Sequence, residues 1–151
     1  MRITDLVPGP GGIVPLHATD GDAAVRELGL ALAPLCGIDG DRVVELLRRR
    51  EHVASTAVGG HVAIPHARTA EASKTIAVVG LSRGGIEFSA PDNAPVHVFV
   101  ALLSPIHGGR HLQAIAAIAR DLAAPSLLRR LTDAASPDDA YALLSAAGSR
   151  G

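Results

Sequence analysis

Seven histidines stand in a chain of 151 residues. Imidazole is the side chain whose ordinary pKa, about 6.5, lets it act near neutrality as nucleophile, proton carrier or metal ligand. Two of the seven sit where elements meet. His66 follows Pro65 in the stretch from Gly59 to Arg68, "GGHVAIPHAR", just after an apolar run at 62–64 that reads as a strand. His111 opens the helical pattern that begins at Arg110. Strand ends and helix starts are where α/β proteins bind ligands, because backbone N–H groups are unpaired there. Pro65 has no N–H and a fixed φ, so it stops strand pairing and sets the direction in which His66 projects. The remaining histidines carry less pattern. His17 and His52 lie in polar or loop contexts, His97 alternates within an apolar run, and His107 belongs to the loop Ile106-His107-Gly108-Gly109.

The residues alone leave several chemistries open. Two converging histidines could hold a metal, but neither a cysteine pair nor a nearby carboxylate cluster accompanies them. A serine hydrolase would show a Gly-x-Ser-x-Gly elbow, and none exists. Gly59 and Gly60 are not followed by the Gly-Lys-Ser/Thr of a phosphate-binding loop. Arg50 closes a helical run, Arg48-Arg49-Arg50-Glu51. On its own it reads as a solvated cation against the terminal carbonyls of that helix.

The elements that must position these groups can be drawn from composition and period. The chain is 48% hydrophobic and only 2% aromatic. Its core must therefore be Ala, Val, Leu and Ile, enough for one domain of this length. Charged residues make up 19%, with a formal net charge of −1, which argues against a nucleic-acid binder with a basic face. The single cysteine, Cys36, excludes an intramolecular disulfide and is expected to be a small packed side chain. No apolar run approaches the ~20 residues of a membrane span, and the N-terminus lacks a signal pattern. A cytoplasmic protein is expected.

Residues 1–18 are expected to form an extended segment. A helix should start near Thr19-Asp20 and end at Gly37, with Ala24, Leu28, Ala31, Leu32 and Leu35 at helical spacing. A second, from about Asp39 to Arg50, puts Val43, Leu46 and Leu47 on one face. Residues 62–64, 75–81 and 96–103 read as strands, the last two apolar enough to be buried on both faces. Gly84-Gly85 and Pro91-Asp92-Asn93 mark turns. Leu112, Ile115, Ala116, Ala119 and Leu122 suggest one stripe of a third helix. Two shorter helices follow, 126–131 and 138–146, and the tail 148–151 should fray. The order of helices, strands, then helices predicts a single α/β domain, 1–151, with a mixed sheet flanked by helices.

At this point the residues converge on a family. Arg50-Glu51, Ser55-Thr56, Gly59 and Ala63-Ile64-Pro65-His66-Ala67 resemble the active-site signature of the type-2 enzyme IIA domains of the bacterial phosphoenolpyruvate-dependent phosphotransferase system, the fructose, mannitol and nitrogen-regulatory group. "GGIEFSAPDNAPVHVFVALLSP", from Gly84 to Pro105, resembles the central segment of that family. "RHLQAIAAIARDL", from Arg110 to Leu122, resembles the helix carrying its second histidine. The resemblance spans about residues 20 to 146. It implies that His66 is the phosphorylated histidine, His111 the second active-site histidine, and Arg50 the arginine before the signature. The histidine-containing phosphocarrier protein would be the phosphate donor, with a IIB domain or regulatory target proteins downstream, and no metal or organic cofactor is called for. The chain departs from the pattern at Gly60-His61, where Asn-Gly is common, and at Ala67, where glycine is common. His61 falls on the opposite strand parity from His66 and need not meet it. Whether His61, Ser55 or Thr56 contributes to the site stays open. Phe88 stands where fructose-type members tend to carry tryptophan, and no fused IIB or IIC segment is expected. Both points lean toward the nitrogen-regulatory type. A sugar-specific IIA component, or a binding module that has kept the fold without phosphotransfer, are the alternatives.

Overall fold

The computed structural model describes residues 1–108 and 110–148. Among them a mixed six-stranded sheet is flanked by five α-helices. Helix α1 runs Gly21–Cys36. The Asp20 carboxylate caps it by accepting from the Ala23 N–H at 2.8 Å, and Gly37, at φ 68°, closes it in the left-handed conformation. This is the start and stop that the cap residues predict. Helix α2, Gly40–Val53, is capped by Asp39 and runs three residues beyond the expected end. Arg50 therefore lies in its last turn, three residues before its end. The two helices pack closely because Gly29 has no side chain: a Cβ there would lie 2.8 Å from a Val44 methyl and 3.1 Å from Val44 Cα.

The strands are β1 Ile13–Pro15, β2 Ala57–Gly59, β3 Val62–Ala63, β4 His66–Arg68, β5 Ile76–Ile86 and β6 Val96–Ser104. Their order is β1-β5-β6-β3-β2, with β4 also pairing β6. β5 and β6 are antiparallel and form the buried centre. Alternate residues of β6 point to opposite layers. Phe99, Ala101 and Leu103 join the core under α1 and α2. Val98, Val100 and Leu102 join the core under α3 (His111–Asp121), α4 (Pro125–Thr132) and α5 (Pro137–Gly148). Burial on both faces explains why these strands read as unbroken apolar runs.

Several expectations are corrected. Residues 1–18 are not simply extended. They form 3-10 turns at Ile3–Asp5 and Pro10–Gly12 and then the edge strand β1, parallel to β5. Ile3, Leu6, Val7 and Ile13 are buried, so this segment is held by its apolar side chains despite its Pro/Gly content. The Gly84-Gly85 turn is instead an irregularity inside β5, where the register with β6 shifts between Leu81 and Ile86. The α3 stripe is rotated: His111, Ala114, Ala117 and Ile118 are buried, while Leu112 is 73% exposed. In a helix this rich in alanine, more than one apolar stripe satisfies the period, and the buried imidazole selects the face. Residues 149–151 of the expected frayed tail lie outside the described residues, and Gly148 closes α5.

Candidate functional site

The segment 62–68 is a single extended run laid beside β6, broken at one point. Val62 and Ala63 stand opposite Val98 and Phe99, and His66, Ala67 and Arg68 stand opposite Leu102, Leu103 and Ser104, in unchanged parallel register. The break is Ile64-Pro65. Pro65 has no N–H to give, although its carbonyl still accepts from Leu102 N at 2.9 Å. His66 therefore begins the short strand β4 and does not trail the strand before it, as the sequence suggested. Among the described residues β2 pairs only with β3 and no strand lies along the outer edge of β4. α2 arrives beside β4 from one layer and the first residue of α3 from the other.

Those elements bring the three sequence-predicted residues to one place. His66, Arg50 and His111 line a cleft of about 370 Å³ together with Leu46, Arg49, Ala67 and Arg68. The imidazoles of His66 and His111 are 5.2 Å apart between ring centroids and tilted by 59°, although the residues lie far apart in the chain. His66 is half-buried and His111 is 6% exposed. A larger cleft of about 600 Å³ near Lys74, His107 and Arg110 contains neither imidazole of this pair, so size alone does not mark the site.

Each imidazole is pinned through Nδ1. His66 Nδ1 lies 2.7 Å from the Ile64 carbonyl oxygen. A carbonyl only accepts, so Nδ1 carries the proton and Nε2 keeps its lone pair. His111 Nδ1 lies 2.8 Å from Ser104 Oγ. Burial lowers the His66 pKa below its ordinary value, and the charges of Arg50 and Arg68 add to that, against the opposing effects of the Ile64 carbonyl and Glu51. Burial pushes His111 down to about 4, aided by the charges of His66, Arg68 and Arg50. Both rings are therefore neutral at neutral pH.

The positive charge around them is not neutralised. Arg50 donates to the Ala54 carbonyl at 2.9 Å, the helix-end contact that its sequence position suggests, while still lining the cleft. Among the described residues neither Arg50 nor Arg68 has a carboxylate within ion-pair reach. Arg49, by contrast, pairs with Glu45 at 2.8 Å. Two neutral imidazoles and two guanidiniums without carboxylate partners thus line one cleft, an arrangement with the charge and the donors to attract an anion.

Sequence reasoning missed Arg68 and Ser104. Arg68 shares the parity of His66 on β4, a signal available once that strand is recognised. Ser104 is hidden as the last letter of an apolar run. Ser55 and Thr56 do not line the cleft. Thr56 donates its N–H and its hydroxyl to Glu51, each at 2.7 Å, and Ser55 Oγ donates to the Phe88 carbonyl at 2.7 Å. They fix the loop that follows Arg50. His61 is outside the cleft too, with Nδ1 2.8 Å from the Pro95 carbonyl oxygen. His107 and His111 have His-x-x-x-His spacing, but His107 sits on the loop before α3. Among the described residues no group of three or more His, Cys, Asp or Glu is placed to hold a metal, and no helix is long and apolar enough to cross a membrane.

The chain as a whole is similar to known proteins. Residues 13–147 match the family described as phosphoenolpyruvate-dependent sugar phosphotransferase system, EIIA 2. The chain is 35% identical over 146 residues to a nitrogen regulatory protein of Bradyrhizobium diazoefficiens, covering 95% of each. It is 36% identical over 99 residues to a fructose-specific EIIA component of Haloferax volcanii, covering 65% of this chain and 64% of that one. Its fold superposes on the crystal structure of the nitrogen regulatory protein IIA-Ntr of Neisseria meningitidis with a TM-score of 0.85 and 28% identity, over 94% of this chain and 98% of the other.

Proposed function

Because the chain belongs to the EIIA type-2 family of the phosphoenolpyruvate-dependent sugar phosphotransferase system, we propose that it carries a phosphoryl group on His66 Nε2, received from the histidine-containing phosphocarrier protein in the cytoplasm. The observation that carries this reading is a free Nε2 lone pair on a neutral ring in one cleft with two guanidiniums that have no carboxylate partner among the described residues. His66 attacks phosphorus in line with the donor's breaking P–N bond. The electron pair of that bond stays on the donor nitrogen, and the new bond forms to Nε2. The His66 proton remains on Nδ1, shared with the Ile64 carbonyl, so no base is required to remove it. Arg50 and Arg68 spread the charge of the three equatorial oxygens, as a phosphoryl transition state demands. The neutral His111 presents its remaining ring nitrogen to the same cleft.

The regulatory role is favoured over sugar transport by the relatives of near-equal length, from Bradyrhizobium diazoefficiens and Neisseria meningitidis, which are named nitrogen regulatory proteins. In that role the phosphorylation state of His66 changes which partner proteins bind. The Haloferax volcanii relative supports the second reading, a sugar-specific component that hands its phosphate to a IIB domain. Incubation with phosphoenolpyruvate, enzyme I and the phosphocarrier should add one acid-labile phosphate by intact mass. A protein left unlabelled while the carrier is fully phosphorylated would refute the proposal. Rapid discharge to fructose- or mannitol-type IIB domains would replace the regulatory reading with the sugar-specific one.

A further inference from the structure

One polar contact behind the cleft is left unused by that chemistry. Ser104 ends β6 and is fully buried, and its hydroxyl lies 2.8 Å from His111 Nδ1. It is the sole polar side chain in the apolar stretch 98–104, and a buried hydroxyl without a partner costs about 1–3 kcal/mol. Its backbone is already occupied by the sheet: Ser104 stands opposite Arg68, and its carbonyl accepts from Thr69 N at 2.9 Å. The side chain is therefore there for the imidazole.

A neutral imidazole has two tautomers, and the partner of one nitrogen decides which is populated. Among the described residues the Ser104 hydroxyl has no other hydrogen-bond partner than Nδ1. Were Nδ1–H to donate to Oγ, the hydroxyl proton would be buried with no acceptor. Donation from Oγ to Nδ1 satisfies both groups with one bond and leaves the ring proton on Nε2. The three other imidazoles held by the sheet face carbonyl oxygens: His66 on Ile64, His61 on Pro95 and His97 on Ser82. Carbonyls force the opposite tautomer. Of these four, His111 is the one whose partner can supply a proton.

The geometry points to Ser104 as a positioning residue that holds His111 as its Nε2–H tautomer, so that His111 donates a hydrogen bond to the phosphoryl group on His66. This rests on the phosphohistidine reading above, but the tautomer can be read without phosphate. Long-range 1H–15N spectra of the unphosphorylated protein should show His111 protonated at Nε2 and His66 protonated at Nδ1. In Ser104→Ala, which removes only the oxygen, His111 should shift toward a mixture of tautomers. Single-turnover phosphate uptake should fall about ten- to hundredfold, the scale seen when a group fixing a histidine tautomer is lost. Ser104→Thr keeps a hydroxyl and should restore both readouts. His111 protonated at Nδ1 in the wild-type protein, or wholly at Nε2 in Ser104→Ala, would overturn the proposal. The expected tautomers together with no phosphate on wild-type His66 would leave the Ser104 role standing and sink the phosphohistidine reading instead.

Discussion

The molecule holds two pairs of facing imidazoles, one toward each end of β6. His66 and His111 are 5.2 Å apart and tilted by 59°; His61 and His97 are 5.5 Å apart and tilted by 62°. By distance and angle they are near duplicates, yet their surroundings differ. The first pair lies under Arg50 and Arg68, with the His66 Nε2 free in a cleft. The neighbour of the second is the carboxylate of Asp92, already engaged by the N–H groups of Gly60 and Ala94. The ring of His97 is covered by backbone, since a Cβ on Gly85 would fall 2.9 Å from its Nε2 and Cε1. His61 itself sits at φ 67°, in a tight turn after two glycines that also have positive φ. A pair of histidines is thus a poor indicator of a site. The sign of the surrounding charge and an open nitrogen are what set the pair proposed to react apart from the other.

The comparison is broken most severely by removing the groups proposed to hold the phosphoryl group at the first pair. Arg50→Ala and His111→Ala should each slow phosphate uptake about 10²–10³-fold, the loss of ~2–4 kcal/mol of stabilisation of the transferring group, while the label still accumulates on His66. Arg50→Lys should recover part of the rate, because an ammonium lacks the planar fork. Stopped transfer assays beside thermal melts separate these losses from unfolding. Wild-type rates in both alanine variants would reduce Arg50 to the helix-end contact it makes with Ala54. Arg68→Ala, on the same cleft but at its exposed rim, should cost less, about tenfold. A rate unchanged by that substitution would remove Arg68 from the site.

A subtler contrast lies in pH. His66 and His111 are held below their ordinary pKa, His111 at about 4. Between that value and about 6.5 the unfolded chain binds more protons than the folded one, so stability is full above 6.5 and declines as pH falls toward 4. Denaturant melts at pH 7 and pH 5 should show this decline in the wild type and a shallower one in His111→Gln. Equal slopes in the two proteins would mean that the imidazole of His111 is not the buried neutral group described here. The smallest effect is expected at the other pair. His61→Asn tolerates the left-handed backbone and should change stability by less than about 0.5 kcal/mol and leave transfer untouched. A large loss of transfer in that variant would erase the distinction between the pairs.

Much of this was legible in the sequence where local chemistry decides. Asp20 and Gly37 bound α1 as cap residues should, and the central strands announced themselves as apolar runs. His66, His111 and Arg50, singled out through the family resemblance, do line one cleft. What escaped was set by partners across the fold, or by pairing too short to leave a pattern. Strands β2 and β4 are three residues each and owe their extended form to β3 and β6, not to any alternation of their own. The buried face of α3 was misassigned because alanines satisfy several stripes and the burial of His111 breaks the tie. Arg68 and Ser104 have no local signature. Each becomes a site residue only when the segment 66–68 is laid against the end of β6.

The central claim is that the His66–His111 pair, and within it His66 Nε2, takes the phosphate. The most direct test is a 1H–15N spectrum of the histidine rings recorded before and after phosphorylation by the carrier, with His66→Ala alongside. The account predicts phosphorus coupling at His66 Nε2, a perturbed His111, unchanged His61 and His97 signals, and no labile phosphate on His66→Ala. Phosphorus on His66 Nδ1 or on any other histidine, or uptake by His66→Ala at the wild-type rate, would contradict it.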